Sequence, residues 1–224
     1  MAGCHENALQ KVTRKIALLN TVIFSDIQNK VFVQRGYLEL ARRTAVDPML
    51  KTYMEKEEAM VREIKASLRF AKQFNDIGMN PPRWQNVQDV ILFTVAHPDF
   101  GSLTREFFLE GIEIYADSLL ERVFVTLVEN TILHATGAKF IRAGYTITGD
   151  DTVIFLEDNG PGIPEDSKEQ IFNKGTVAGG ATSLFLSREI LSITGITFQE
   201  DGIAGKGAWF EIRIPKGSYR TSTK

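Results

Sequence analysis

Two long stretches of helical periodicity open the chain. From about Ala8 to about Arg43, apolar residues recur at Val12, Ile16, Leu19, Val22, Ile23, Ile27, Val31, Leu38 and Leu40. Their steps are mostly of three or four, which places them on one face of a helix. At about 1.5 Å per residue that helix reaches ~50 Å. It ends at Thr44-Ala45-Val46-Asp47-Pro48. A proline cannot continue one helix but can open the next, and Asp47 is placed to cap it. The second helix runs from about Met49 to about Phe74. Leu50, Met54, Met60, Ile64, Leu68 and Phe74 line one side, with Glu55, Glu57, Glu58, Arg62 and Lys65 around the rest. Joined by so short a turn, the two helices form a hairpin. One hairpin cannot cover both apolar faces, so the pattern predicts a dimeric four-helix bundle with a second copy of the chain.

The pattern changes at Gly78-Met79-Asn80-Pro81-Pro82, where adjacent prolines force extended backbone. Beyond it the chain reads as α/β. A short strand, Gly111 to Tyr115, leads to Asp117-Ser118 as a helix cap and a helix to about His134. Two strand-like runs follow, Phe140 to Ile147 and Thr152 to Leu156, joined by the hairpin residues Gly149-Asp150-Asp151. Loop-rich sequence spans Asp158 to Ala181. A helix from about Leu184 to Ile193 ends at Gly195, and two strands close the domain, the last being Ala208 to Ile214. The expected organisation is a helical hairpin over 1–78, a linker over 79–82, an α/β domain over 83–218 and a loose tail over 219–224. Trp84 and Trp209 read as packing residues.

Composition narrows the class. Of 224 residues, 43% are hydrophobic and 24% charged, as in ordinary globular proteins. A net charge of −2 gives no basic excess for a nucleic-acid partner. No apolar run is long enough to span a bilayer. A single cysteine, Cys4, permits no disulfide within the chain and fits a reducing cytoplasm. Cys4-His5 reads as an inert terminus.

The sharpest chemical signal is Glu157-Asp158-Asn159-Gly160-Pro161-Gly162-Ile163-Pro164. A strand delivers an aspartate into a glycine-rich turn. The carboxylate can accept a hydrogen bond from an adenine amino group, and glycines let backbone approach a base or phosphates. Taken alone, the motif is also a common hairpin turn. Three further segments stand in a consistent order around it. Leu119 to Ala135, centred on Val128-Glu129-Asn130, resembles the N-box helix of histidine kinases. Ile171-Phe172 resembles their lid phenylalanine. Gly205-Lys206-Gly207-Ala208-Trp209-Phe210-Glu211-Ile212 resembles their final glycine-rich strand. Together these resemble the ATPase superfamily shared by histidine kinases, gyrases and heat-shock chaperones, and the upstream hairpin selects histidine kinases.

That resemblance implies an α + α/β chain: a dimerising hairpin, then an ATPase α/β sandwich with a mixed sheet. It implies ATP and Mg²⁺ as ligands. Asn130 would hold Mg²⁺ through its amide oxygen, a hard ligand of the kind magnesium prefers. Asp158 would read adenine, Gly160 and Gly162 would shape the pocket floor, and His134 would lie near the phosphates. A bland reading of His134, as a helix-end surface residue, stands beside this. Gly207 belongs to the closing glycine motif. The partners implied are a second copy of the chain and a response-regulator receiver domain.

The sequence departs from the family pattern in three places. At the phosphoacceptor position, Phe24-Ser25-Asp26-Ile27-Gln28-Asn29 keeps the acidic residue as Asp26 and the asparagine as Asn29, but Ser25 replaces histidine. A serine hydroxyl is a poor nucleophile without a strong base, whereas neutral imidazole is ready near pH 7. At the lid, the expected Gly-x-Gly is Ala181-Thr182-Ser183, with Gly175, Gly179 and Gly180 nearby as partial substitutes. One turn before Asn130, Thr126 stands where a second asparagine is common. These changes predict a degenerate kinase with autophosphorylation impaired. Four roles stay open: a nucleotide-binding partner of a response regulator, a phospho-aspartyl phosphatase using Asn29, a non-catalytic dimeric scaffold, and a kinase using Ser25 or an outside acceptor with Asp26 as base.

Overall fold

A computed structural model describes residues 2–44, 46–96, 103–173 and 182–222. The chain divides into two compact units, Met1–Asp76 and Ile77–Lys224.

The first unit is the hairpin of α1 (Ala2–Thr44) and α2 (Pro48–Asp76). Pro48 opens α2 as its sequence predicts. The Asp47 carboxylate accepts the Met49 N–H at 2.7 Å, and its carbonyl accepts Lys51 N–H at 3.1 Å. α1 begins earlier than the apolar pattern suggests, so His5 falls on it rather than before it. Val31, Val61 and Leu68 form the buried seam, with Phe24, Ile27 and Leu38 packed against it. Phe24, Val31 and Leu38 recur at heptad spacing on α1, as do Met54, Val61 and Leu68 on α2, giving coiled-coil packing between the helices. The expected α2 face is corrected here. Val61 is in the seam, whereas Leu50, Met60 and Ile64 are exposed. An apolar stripe of Ile16, Leu19, Val22 and Ile23 also remains exposed on α1. Near the open end, Asn20 Nδ2 donates to Asn75 Oδ1 at 2.7 Å.

The second unit contains β1 (Arg83–Asn86), α3 (Val87–Thr94), β2 (Thr104–Phe108), β3 (Ile112–Ala116), α4 (Leu120–His134), β4 (Phe140–Thr148), β5 (Asp151–Asp158), α5 (Thr182–Ser192), β6 (Thr197–Glu200), β7 (Trp209–Ile214) and β8 (Tyr219–Thr221). Short 3₁₀ turns lie at Glu165–Ser167 and Gln170–Phe172. The five-stranded sheet has the order β2-β4-β5-β7-β6. β2 and β4 run parallel and the other neighbours antiparallel, so the sheet is mixed, as expected. A three-stranded antiparallel sheet has the order β1-β3-β8.

The alternation of each strand sets the layers. On β7, Phe210, Ile212 and Ile214 point inward while Trp209, Glu211 and Arg213 point out. Ile154 and Leu156 of β5 and Ile141 of β4 share the inward face. Phe124 and Leu127 of α4 and Leu191 of α5 belong to the same core. On the opposite face Trp209 stacks on Phe155 at 4.6 Å, and the Phe155 ring lies over Gly144, where a Cβ would meet it at 2.7 Å.

Several expectations are corrected. Residues 77 and 78, read as the end of the hairpin, belong to the second unit: Ile77 packs against its core and Gly78 N–H donates to buried Asp117 at 2.9 Å. Asp117 caps the turn ahead of α4, accepting Leu119 N–H at 2.8 Å, and so sits before the first helical turn. Tyr219–Thr221 is no loose tail; it pairs with β3, and Arg220 binds Glu113 and lies over the Trp84 ring at 4.5 Å. β1, α3 and β2 were not read from the sequence because they are short, at 4, 8 and 5 residues.

Candidate functional site

Asp158 ends β5 at an inward register position, where the alternation would call for an apolar residue. It is 6% exposed. A carboxylate kept there needs donors, and the neighbouring elements supply them. Oδ2 accepts the Thr131 hydroxyl of α4 at 3.2 Å. Oδ1 accepts Gly160 N–H at 2.8 Å and Ala208 N–H at 3.4 Å. The group is therefore fixed in orientation by three elements while keeping lone pairs for a further donor.

The glycines explain how the backbone comes so close. A Cβ on Gly160 would meet Ala135 Cβ at 2.5 Å, just past the end of α4. Gly162 has φ +67°, and a Cβ there would meet the carbonyl oxygens of Ile203 and Gly207 at 2.8 Å. Gly207 has φ +130°, and its Cβ would overlap the Asp158 carbonyl outright. The turns at 158–162 and 202–208 thus interlock. Gly205 N–H donates to the Pro161 carbonyl at 2.7 Å, and Asp158 N–H to the Ala208 carbonyl at 3.1 Å. Asn159 turns the other way, accepting Lys139 and Phe140 N–H at 2.8 and 3.2 Å and so pinning the start of β4.

Asn130 lies on α4 directly before Thr131 and is half-buried. Its Nδ2 is buried with no hydrogen-bond partner, as is the Thr126 hydroxyl one turn earlier. Two buried polar atoms on one helix face thus lack a partner within the protein. Among the described residues no group of three His, Cys, Asp or Glu side chains gathers to hold a metal. His134 is exposed in the last turn of α4.

Phe172 is buried and packs edge-on against Phe198 at 5.0 Å. Arg188 of α5 covers its ring at 3.8 Å, binds Glu169 at 3.2 Å and donates to the Phe198 carbonyl at 3.1 Å. Lys168 Nζ binds Glu165 at 2.8 Å. That bond, with the nearby Glu200 and Asp201 carboxylates, holds its ammonium above the ordinary lysine value. Gly175, Gly179, Gly180 and Ala181 lie outside the described residues, while Thr182 and Ser183 open α5.

On the hairpin, Ser25, Asp26 and Asn29 are all exposed on α1. Asp26 pairs with Lys30 at 2.7 Å. Asn29 borders a shallow apolar groove with Val33, Tyr37 and Leu38. The second unit thus gathers Asp158, Gly160, Gly162 and Gly207, with Asn130 next to Thr131 on α4, while Ser25, Asp26 and Asn29 form a separate group on the first. Sequence reasoning missed Thr131 and Ala208 as holders of Asp158, because a hydroxyl after Asn130 and a backbone N–H just ahead of a strand show nothing of their target. It also missed Glu200, which reads as an ordinary strand-end acid.

Comparison with known proteins agrees with this geometry. The histidine kinase-, DNA gyrase B-, and HSP90-like ATPase family matches residues 116–218. The sensor protein CitS of Halalkalibacterium halodurans is 36% identical over 104 residues, covering 44% of this chain and 18% of CitS. The chain therefore spans under a fifth of that relative. Full-length ShkA, solved in complex with AMPPNP, superposes with a TM-score of 0.64 at 13% identity, covering 92% of this chain and 46% of ShkA. The Acinetobacter baumannii histidine kinase AdeS does so with a TM-score of 0.59 at 18% identity, covering 86% of this chain and 98% of AdeS. At these identities the two structures speak to fold alone. Residues 116–218 accordingly match the histidine kinase-, DNA gyrase B-, and HSP90-like ATPase family, and the chain, with the helical hairpin ahead of them in sequence, shares the fold of these solved histidine kinase structures.

Proposed function

We propose that the chain binds ATP or ADP on Asp158 and serves histidine kinase-type two-component signalling in the cytoplasm as a dimer, with autophosphorylation lost at Ser25. The observation that carries this reading is the buried Asp158 carboxylate, locked by Thr131, Gly160 and Ala208. Its remaining lone pairs suit an adenine amino group. The orphaned amide of Asn130 and hydroxyl of Thr126 fit the polar end of the same ligand. Asn130 would offer Mg²⁺ its amide oxygen, with phosphates and waters completing the shell. When bound, magnesium would offset phosphate charge. Asp158 would orient the base, and the Gly160 and Gly162 turn would let the backbone approach it.

The loss of kinase activity rests on α1. Ser25 is exposed, and its acidic neighbour Asp26 is engaged by Lys30. A hydroxyl with no free base beside it is not activated for attack on phosphorus. The exposed residues of that segment, Ser25, Asp26, Gln28 and Asn29, then form a docking surface for a response-regulator receiver domain. A second reading is favoured by the exposure of Asn29 beside its groove: the side chain is free to orient a water toward a phospho-aspartate.

Calorimetric titration of ATP and ADP with Mg²⁺ tests the proposal. Saturable binding is expected, and its loss in Asp158→Ala. Incubation with labelled ATP is expected to leave the protein unlabelled; label on the chain would instead support a kinase using Ser25. No binding at millimolar nucleotide would leave a partner-binding scaffold. Dephosphorylation of a phospho-receiver that disappears in Asn29→Ala would select the phosphatase.

A further inference from the structure

Glu200 ends β6 and has no part in the reading above, yet its side chain is wholly buried. Oε1 accepts Gly202 N–H at 2.9 Å and Trp209 N–H at 3.1 Å. These two N–H groups flank the 202–208 turn. A Cβ on Gly202 would meet Oε1 at 2.5 Å, so the glycine lets the carboxylate in. Just before Trp209, Gly207 and the Ala208 N–H press on Asp158. Glu200 thus holds both ends of a turn that packs against Asp158.

The second oxygen points elsewhere. Oε2 is buried without a hydrogen bond, and Lys168 Nζ stands 3.9 Å away as its ion-pair partner. Lys168 is itself mostly buried and is fastened to Glu165. It lies on the segment after Gly162 that carries the 3₁₀ turn at Glu165–Ser167. One carboxylate therefore touches both the turn beside Asp158 and the segment that follows it in the chain.

We propose that Glu200 is a positioning residue that couples the wall beside Asp158 to the 165–168 segment: Oε1 sets the 202–208 turn and Oε2, through Lys168, holds the segment to it. This rests on the reading of Asp158 as the adenine ligand. Removing the carboxylate leaves the buried Gly202 N–H and the part-buried Trp209 N–H without an acceptor, so the turn shifts. Glutamine keeps an acceptor for both and loses only the ion pair.

The test is titration of ADP with Mg²⁺ into the wild type, Glu200→Ala, Glu200→Gln, Lys168→Met and the Gln/Met double variant. Alanine is expected to raise Kd by about tenfold or more. Glutamine should raise it less, to the level of Lys168→Met, with the double variant no weaker than either single one. Additive losses in the double variant would overturn the coupling, and wild-type affinity in a folded Glu200→Ala would overturn the positioning role. Amide hydrogen exchange in the nucleotide-free protein separates this inference from the one beneath it. Gly202 and Trp209 amides should exchange faster in Glu200→Ala and stay protected in Lys168→Met. If the wild type binds no ADP, the nucleotide reading fails, and the exchange result alone decides whether Glu200 sets the turn. If alanine does not fold, the Gln/Met comparison decides.

Discussion

Gly207 shows how narrowly single positions are constrained around Asp158. Its φ of +130° and the overlap of any Cβ with the Asp158 carbonyl admit no side chain. Gly207→Ala should therefore destabilise the second unit by about 2 kcal/mol or more, read as a lower urea midpoint. Glu200 adds a pH-dependent term. Burial pushes its carboxyl up from the ordinary value of 4.5, against the Trp209 and Gly202 N–H groups and Lys168, which pull it down. A carboxyl raised by folding binds its proton more tightly in the fold. Its contribution is thus fully present below the unfolded value and lost as pH rises through the folded one. Relative to Glu200→Gln, the wild type should gain thermal stability as pH falls from 7 toward 4.5; a Tm difference that stays constant over that range would remove the burial argument. Asp158, Gly160 and Gly162 were legible in sequence because an acid and glycines cluster in one short turn. Glu200 was not, since its partners Gly202, Trp209 and Lys168 meet it only once β6 and β7 pair.

Elements were legible in proportion to the length of their pattern. α1, α2, α4, β4, β5 and β7 carry several in-period apolar residues each. β1 and β8 are short and rich in polar residues, and Gln85 of β1 is buried to donate to the Ala116 and Asp117 carbonyls, so periodicity had little to register. β8 matters nonetheless. It pairs with β3, its Arg220 binds Glu113, and Ser222 N–H donates to the Gly111 carbonyl at 2.8 Å. Truncation after Ser218 should lower the Tm of the second unit by several degrees, measured by calorimetry on the truncated chain. Arg142 contrasts with this. It bridges Glu106 and Glu157 at 2.7 and 2.6 Å, and those bonds hold its guanidinium above the ordinary value, yet its side chain is partly open to water. Pairs of that exposure contribute little.

At the scale of the molecule, the hairpin's exposed apolar face bears on assembly. Among the described side chains, Val31, Met54, Val61 and Leu68 are its buried hydrophobic residues, with a few partly buried neighbours. Isolated helices gain most of their stability from packing an apolar face. The exposed stripe of Ile16, Leu19, Val22 and Ile23 is the surface a second copy would cover. The dimer reading therefore predicts that the hairpin's Tm rises with protein concentration, and that Leu19→Glu with Val22→Glu halves the mass seen in sedimentation equilibrium. A monomer at every concentration would sink that reading. No helix of the described residues is long and apolar enough to cross a membrane.

The two interlocked turns also bear on how this domain can be recombined. Pro161 and Gly205, or Gly162 and the carbonyls of residues 203 and 207, are far apart in sequence but shaped against each other atom by atom. A chimera whose crossover falls between them would pair a turn from one parent with a counterpart fitted to another. Functional hybrids of this protein should therefore be recovered with junctions outside residues 158–208, and scarcely with junctions inside.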